Sequence, residues 1–197
     1  MSPCTRAARF DVSASGSTFF TIGHSNRSIG EFVALLQAAH VTLLVDVRTI
    51  PRSRSNPQFN LDVLPQALSA RGIAYEHIVE LGGLRGRQRH VPSAANAFWQ
   101  NKSFHNYADY AESEPFQCGL DRLRALARGR DCAIMCAESV WWRCHRRIIA
   151  DYLLVGGEPV FHIMGSGRIV PATITTAARR SGPRILIYPA EAAVAEA

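Results

Sequence analysis

Apolar positions along this chain gather into short, nearly continuous runs, and each run stops at a polar or charged residue. Between the runs the apolar residues take up helical spacing. Phe19-Phe20-Thr21-Ile22 is the first run, rich in strand formers, and it stops at Gly23-His24-Ser25-Asn26. Ser28-Ile29-Gly30-Glu31 matches a capping box, and Phe32, Leu35, Leu36 and Ala39 then mark one face of a helix. Val41 to Val47 is apolar except at Thr42 and Asp46, the pattern of a strand buried on both sides. Asn60 is expected to cap a helix carrying Leu61, Leu64, Ala67 and Leu68, closed by Gly72, with a third strand from Ile73 to Val79. A long basic loop runs from Leu81 to His90. Phe104 to Ala111 and Phe116 to Ala127 read as helices divided by Pro115, and Gly129 closes the second. Cys132 to Cys136 is the fourth strand, Arg143 to Leu154 the next helix and Pro159 to Met164 the fifth strand, with one more at Arg184 to Tyr188.

Strands alternating with helices argue for right-handed βαβ units. The expected fold is α/β: a single three-layer domain with a mostly parallel sheet and helices on both faces. The long helical connection between the third and fourth strands implies that the chain crosses back. That produces a Rossmann-like switch point between the first and fourth strands and brings His24 close to Cys136. Residues 1–17 read as a flexible leader, and 18–197 as the domain.

Composition narrows the functional classes. Net charge is +6 and the sequence pI is about 9.4, which favours nucleic acid or an anionic small molecule as partner. The five cysteines are odd in number and include no Cys-x-x-Cys, so reduced thiols are expected rather than a disulfide framework. There is no secretory signal pattern at the start, and no apolar run approaches the roughly eighteen residues of a membrane span. A cytoplasmic protein with no membrane partner is the expectation. Oligomeric state stays open.

Candidate chemistry sits at the strand ends, where open parallel sheets build their ligand sites. His24 and Ser25 follow the first strand, Asp46 and Arg48 end the second, and His162 lies in the fifth. The fourth strand stops at Cys136-Ala137-Glu138, and Arg143-Cys144-His145-Arg146-Arg147 opens the helix behind it. A cysteine facing a helix N-terminus and Arg143 sits in a field that favours thiolate. Cysteine phosphatases and rhodaneses use that geometry, but Cys136 and Arg143 stand one residue further apart than in the phosphatase signature, and Val140-Trp141-Trp142 is bulkier than their loops. Cys136 is therefore either nucleophile or pocket wall. Glu138 is a candidate acid or base or an arginine partner. Asp46 faces the same side as Arg48, and either pairs with it or meets a ligand.

A metal site is not expected. Cys144 and His145, adjacent in the helix from Arg143, point about 100° apart and do not readily face one ion. Cys-Ala-Glu is similar to part of the zinc deaminase signature, but the Pro-Cys-x-x-Cys that must follow is missing. No cofactor is expected either. Arg48, Arg52 and Arg54 follow the second strand, and Arg85, Arg87 and Arg89 follow the third, so both basic loops should open on the Cys136 edge and suit phosphate. Trp99, Phe104 and Tyr107 offer stacking surfaces, with core packing the expectation for at least two of them.

Several ordered motifs carry a resemblance. Thr21-Ile22-Gly23-His24-Ser25, Asp46-Val47-Arg48, Pro51 with Ser53, Leu81-Gly82-Gly83, Phe104 to Tyr110, Cys136-Ala137-Glu138 and Cys144-His145-Arg146 are together similar to the domain-of-unknown-function 488 family, over about residues 19–164. That resemblance implies a motif set and little chemistry, apart from loose labels relating to DNA repair. Ser139-Val140-Trp141-Trp142 departs from the Asp-Pro type of turn that members often carry, so substrate contacts there are expected to differ.

The leading expectation is an enzyme that hydrolyses a phosphate-bearing substrate, most naturally nucleic acid or a nucleotide. Glu138, Asp46, His24 and Cys136 are the catalytic candidates. Ser25, Arg48, Arg52, Arg85, Arg143, Cys144, His145, Arg146 and Tyr107 are the binding candidates. A non-catalytic nucleic-acid-binding module and a rhodanese-like thiol transferase are the alternatives.

Overall fold

A computed structural model describes residues 17–165 and 167–190. The expected leader, but for Ser17, lies outside the described residues, as does Cys4. A six-stranded sheet forms the centre, in the order β3-β2-β4-β1-β5-β6. β1 (Phe19–Gly23), β2 (Leu43–Asp46), β3 (Ala74–His77), β4 (Cys132–Cys136) and β5 (Val160–Ile163) are mutually parallel, while β6 (Ile169–Pro171) runs antiparallel to β5. Every residue of β1, β2 and β4 is buried, which explains why their runs carry almost no alternation.

Helices cover both faces. α1 (Ile29–Ala38) and α2 (Leu64–Ser69) pack Phe32, Leu36, Leu64 and Leu68 against Ile22, Leu44 and Met135. α3 (Lys102–Ala111), α4 (Glu114–Ala127) and α5 (Arg146–Val155) pack the opposite face, over Phe19, Val45 and Ile134. The result is the three-layer α/β sandwich that the alternation predicts, with β4 inserted between β1 and β2. The capping box forms: Ser28 Oγ accepts from Glu31 N, and Glu31 Oε2 accepts from Ser28 N at 2.8 Å. Among the described residues no helix is long and apolar enough to cross a membrane.

Three local expectations differ from what is found. Asn60 does not cap α2, which starts at Leu64; its side chain instead accepts from Ser53 N at 2.6 Å and fixes the basic loop. The helix after β4 does not begin at Arg143. Trp141–Arg143 forms one 3-10 turn, Cys144 is extended (φ −129°, ψ 143°), and α5 begins only at Arg146. The tail contributes β6 and a second small sheet, β7 (Arg179–Arg180) with β8 (Leu186–Ile187), rather than one strand. Ala177, Leu186 and Tyr188 fold back into the core over α5.

Candidate active site

β1 and β4 are neighbours in register, Gly23 beside Cys136, and their connections leave toward opposite sides of the sheet. This is the expected switch point. His24 N donates to Cys136 O at 2.9 Å and Ser25 N to Ala137 O at 3.0 Å, so the two strand ends are stitched together. Their approach is close: a Cβ on Gly23 would lie 1.8 Å from Glu138 O. Above this seam opens a pocket of about 480 Å³. Its wall includes His24, Arg48, Cys136, Glu138, Cys144 and His145, its rim Arg52 and Arg143, and its apolar side Ile50, Leu84 and Phe104.

The floor is a cluster of Cys136, Cys144 and His145, whose sulfur and ring-nitrogen atoms all lie within 4.8 Å of one another. His145 Nδ1 is 3.6 Å from Cys144 Sγ and 4.0 Å from Cys136 Sγ. The other ring nitrogen settles the tautomer. Nε2 sits 3.0 Å from Val47 O, and a carbonyl only accepts, so Nε2 carries the proton. In the neutral ring the Nδ1 lone pair therefore faces the two sulfurs. Because Cys144 is extended and His145 only begins the helix, the helical spacing that would have splayed them apart does not apply. Gly83 and Tyr107 hold the ring from the sides. Tyr107 packs 4.9 Å from it, and a Cβ on Gly83 would fall 2.4 Å from Nδ1.

Charge in this cluster is unequal. Burial works against ionisation of Cys144, but a hydrogen bond from Cys136 and the Arg146 guanidinium hold its thiol well below the usual range. Arg146 Nε points at Cys144 Sγ from 3.1 Å. Cys136 is pushed well above the usual range, first by its hydrogen bond to Cys144 and then by burial. The cation that reaches a sulfur is thus Arg146, at Cys144, and not Arg143 at Cys136 as expected. Cys144 is only 2% exposed. Cys132, Cys136 and Cys144 carry no disulfide.

Other candidates divide clearly. Asp46 is fully buried and does not line the pocket; its carboxylate takes Arg48 Nε at 2.9 Å, Arg48 Nη2 at 2.6 Å and Tyr75 OH at 2.8 Å. It is a structural partner of Arg48, because every oxygen is already engaged. Arg48 reaches the pocket wall, but Asp46, Phe59 O and His24 occupy most of its donors. Arg146 is buried too, donating to Cys144 and to Glu138 O at 2.6 Å, so it braces the floor rather than the rim. Arg85 does not reach the pocket. It lies 3.9 Å over the Tyr110 ring and donates to the carbonyls of Val79, Glu80 and Gly82. Tyr107 is core, its hydroxyl donating to Leu81 O at 2.7 Å, and Ser25 lies beside the pocket in the left-handed region (φ 51°) without lining it. Trp99 is core as well, while Phe104 does line the pocket. Glu138, Arg52 and Arg143 are exposed on the wall and rim, and Glu138 is the acidic residue of that lining.

Thr49, Ile50, Gly83 and Leu84 belong to the pocket without having been expected there. Only Gly82-Gly83 left a trace in the sequence, since adjacent glycines permit close approach. Gly82 packs on Thr49, whose hydroxyl accepts from Leu84 N at 3.0 Å, and Gly83 packs on His145.

Two buried histidines make stability depend on pH. Burial lowers His24 to about 4, although its Nδ1–H bond to Ser25 O works the other way; burial and Arg146 lower His162 to about 4. His162 is packed against Trp141 at 4.2 Å and bonded to Thr21, away from the pocket. Both rings refuse protons that the unfolded chain takes up below its value of 6.5. Their contribution is complete above that value and is lost as pH falls toward about 4. Asp151, raised by burial to about 6, acts in the opposite sense and offsets part of the loss. Unfolding free energy is expected to drop by on the order of 2 kcal/mol between about pH 7 and about pH 4.5, after allowance for solvent screening. Urea denaturation at the two pH values measures it, and a flat profile would contradict neutral burial of both rings.

No curated protein and no solved structure matches the chain. A family model described as Domain of unknown function DUF488 matches residues 28–153. That span holds β2 to β4, the glycine pair, the Cys-Ala-Glu end of β4 and the start of α5, and on it the chain belongs to the DUF488 family.

Proposed function

We propose that this protein hydrolyses a phosphate-bearing substrate, nucleic acid or a nucleotide, in the pocket at the carboxyl edge of the sheet. The observation that carries this reading is convergence. One exposed carboxylate, Glu138, two exposed guanidiniums, Arg52 and Arg143, and the Cys136–Cys144–His145 cluster share one hollow of about 480 Å³. Arg52 and Arg143 take the phosphate as charge-assisted donors at the rim. Ile50, Leu84 and Phe104 offer an apolar side for a base or sugar. Glu138 moves the proton between water and leaving group. Asp46 has no part in this, being spent on Arg48.

The thiol-transferase reading is weaker on geometry. A nucleophile must be both ionised and reachable. Here both sulfurs are buried: Cys144 is 2% exposed and held by Arg146, and burial works against ionisation of Cys136, 8% exposed.

Glu138→Gln is expected to lower turnover of nucleotide and single-stranded DNA substrates by about 10²–10⁴-fold while leaving their affinity nearly unchanged. Unchanged turnover would remove Glu138 from the mechanism. Salt-sensitive DNA binding with no turnover by the native chain would replace the enzyme with a binding module.

A further inference from the structure

We propose that Cys136, Cys144 and His145 form a binding site for a zinc-class divalent ion whose fourth position opens into the pocket. A tetrahedral ion with sulfur ligands at about 2.3 Å and nitrogen at about 2.0–2.1 Å sets neighbouring ligand atoms about 3.6–3.8 Å apart. The cluster already has Nδ1 at 3.6 Å from one sulfur and 4.0 Å from the other. The two sulfurs lie within 4.8 Å of each other, so closing the cluster around an ion takes a few tenths of an ångström at the ring and at most about 1 Å between the sulfurs.

The ring is set for the task. Metal-ligating histidines donate their other N–H to a carbonyl or carboxylate, which fixes tautomer and orientation. His145 Nε2 does this with Val47 O, and Gly83 and Tyr107 prevent the ring from turning away. Arg146 supplies an N–H to the Cys144 sulfur, as surrounding donors do at thiolate sites. Two sulfurs and an imidazole are a soft donor set, suited to zinc rather than to magnesium or calcium. The three ligands come from the end of β4 and the turn into α5, both anchored in the sheet core.

Three protein ligands with a remaining direction toward a cavity are the mark of a catalytic site rather than a structural one. All three residues line the pocket, and so does Glu138. The role of the ion rests on the hydrolytic reading above. A water in the fourth position gives one proton to the Glu138 carboxylate, its oxygen bonds to the phosphorus or sugar carbon, and the leaving group departs with the proton from Glu138. Water is consumed and nothing is oxidised or reduced. On binding the ion, any thiol still protonated releases its proton to solvent.

The test uses Zn²⁺ and Co²⁺ alone, with no substrate. One ion per chain is expected, and the Co²⁺ form should show thiolate-to-metal charge-transfer absorption and a tetrahedral visible spectrum. Cys136→Ser, Cys144→Ser and His145→Ala should each weaken Zn²⁺ binding by about 100-fold or more, while Cys132→Ala, on the same strand but outside the cluster, leaves it unchanged. X-ray absorption on the native chain guards against variants that misfold, and should show two sulfur ligands and one imidazole. Absence of stoichiometric binding, or a shell of oxygen and nitrogen alone, overturns the proposal. Zinc binding with no hydrolysis by the native chain would sink the hydrolytic reading and spare the metal site; hydrolysis by a native chain that takes no zinc would do the reverse.

Discussion

Asp46→Ala should destabilise the fold by about 3–5 kcal/mol, although Asp46 does not line the pocket. Its carboxylate is fully buried and accepts from Arg48 Nε, Nη2 and backbone N and from Tyr75 OH. Arg48 is itself 5% exposed. Burial works against its charge, but Asp46 more than offsets this and keeps the guanidinium pKa above its usual value. Without the carboxylate a buried cation keeps, among the described residues, only Phe59 O and the His24 ring as hydrogen-bond partners. Denaturant unfolding measures the cost, and the double variant Asp46→Ala with Arg48→Met should recover part of it, because no lone charge remains. A loss below about 1 kcal/mol would mean that the pair is solvated, as surface pairs are.

Gly83→Ala should act on the site more than on the fold. The added Cβ would fall 2.4 Å from His145 Nδ1 and 2.8 Å from Cε1. The ring has no easy retreat, with Val47 O holding Nε2 at 3.0 Å and Tyr107 packed against its face. It must swing, and Nδ1 leaves the two sulfurs. Turnover is expected to fall by about 10²-fold, the scale of a displacement of roughly 1 Å in a catalytic group. Stability should fall by about 1–3 kcal/mol, the usual range for overpacking. Gly86→Ala, in the same loop with open space around it, is the control. Equal kinetics in the two variants would show that the position of His145 does not matter.

Much of this architecture is legible in the residues, for identifiable reasons. β1, β2 and β4 stand out because both of their sides are buried, which leaves continuous apolar runs. The convergence of His24 with Cys136 follows from the crossover after β3, a matter of topology rather than of any local signal. β6, β7 and β8 are only two or three residues long, too short for a period to register. The start of α5 is missed because Cys144 stands four residues before Ile148, in helical spacing, and because His145 at the N-cap makes no side-chain capping bond. That boundary decides the chemistry: a helix begun at Arg143 would have separated Cys144 from His145.

Side-chain partnership is harder to read than position. Asp46 and Arg48 share a face by strand alternation, so their pairing is foreseeable, but the depth that excludes both from acid–base work is not. Arg85 looks like its neighbours in a basic loop. It is diverted by the Tyr110 ring, some twenty-five positions away in the chain, a contact that only the docking of α3 creates. Arg52 and Arg143 remain at the rim because no such partner meets them among the described residues.

The claim at the centre of the account is that a phosphate-like anion sits over the cysteine–histidine floor, between Arg52 and Arg143. Crystals soaked in sodium tungstate test it most directly, since anomalous scattering locates the oxyanion without ambiguity. The account predicts a peak within hydrogen-bond reach of both guanidiniums in the pocket beside Glu138. Peaks found only elsewhere, for instance in the hollow flanked by Arg124, Arg180 and Arg184, would contradict it.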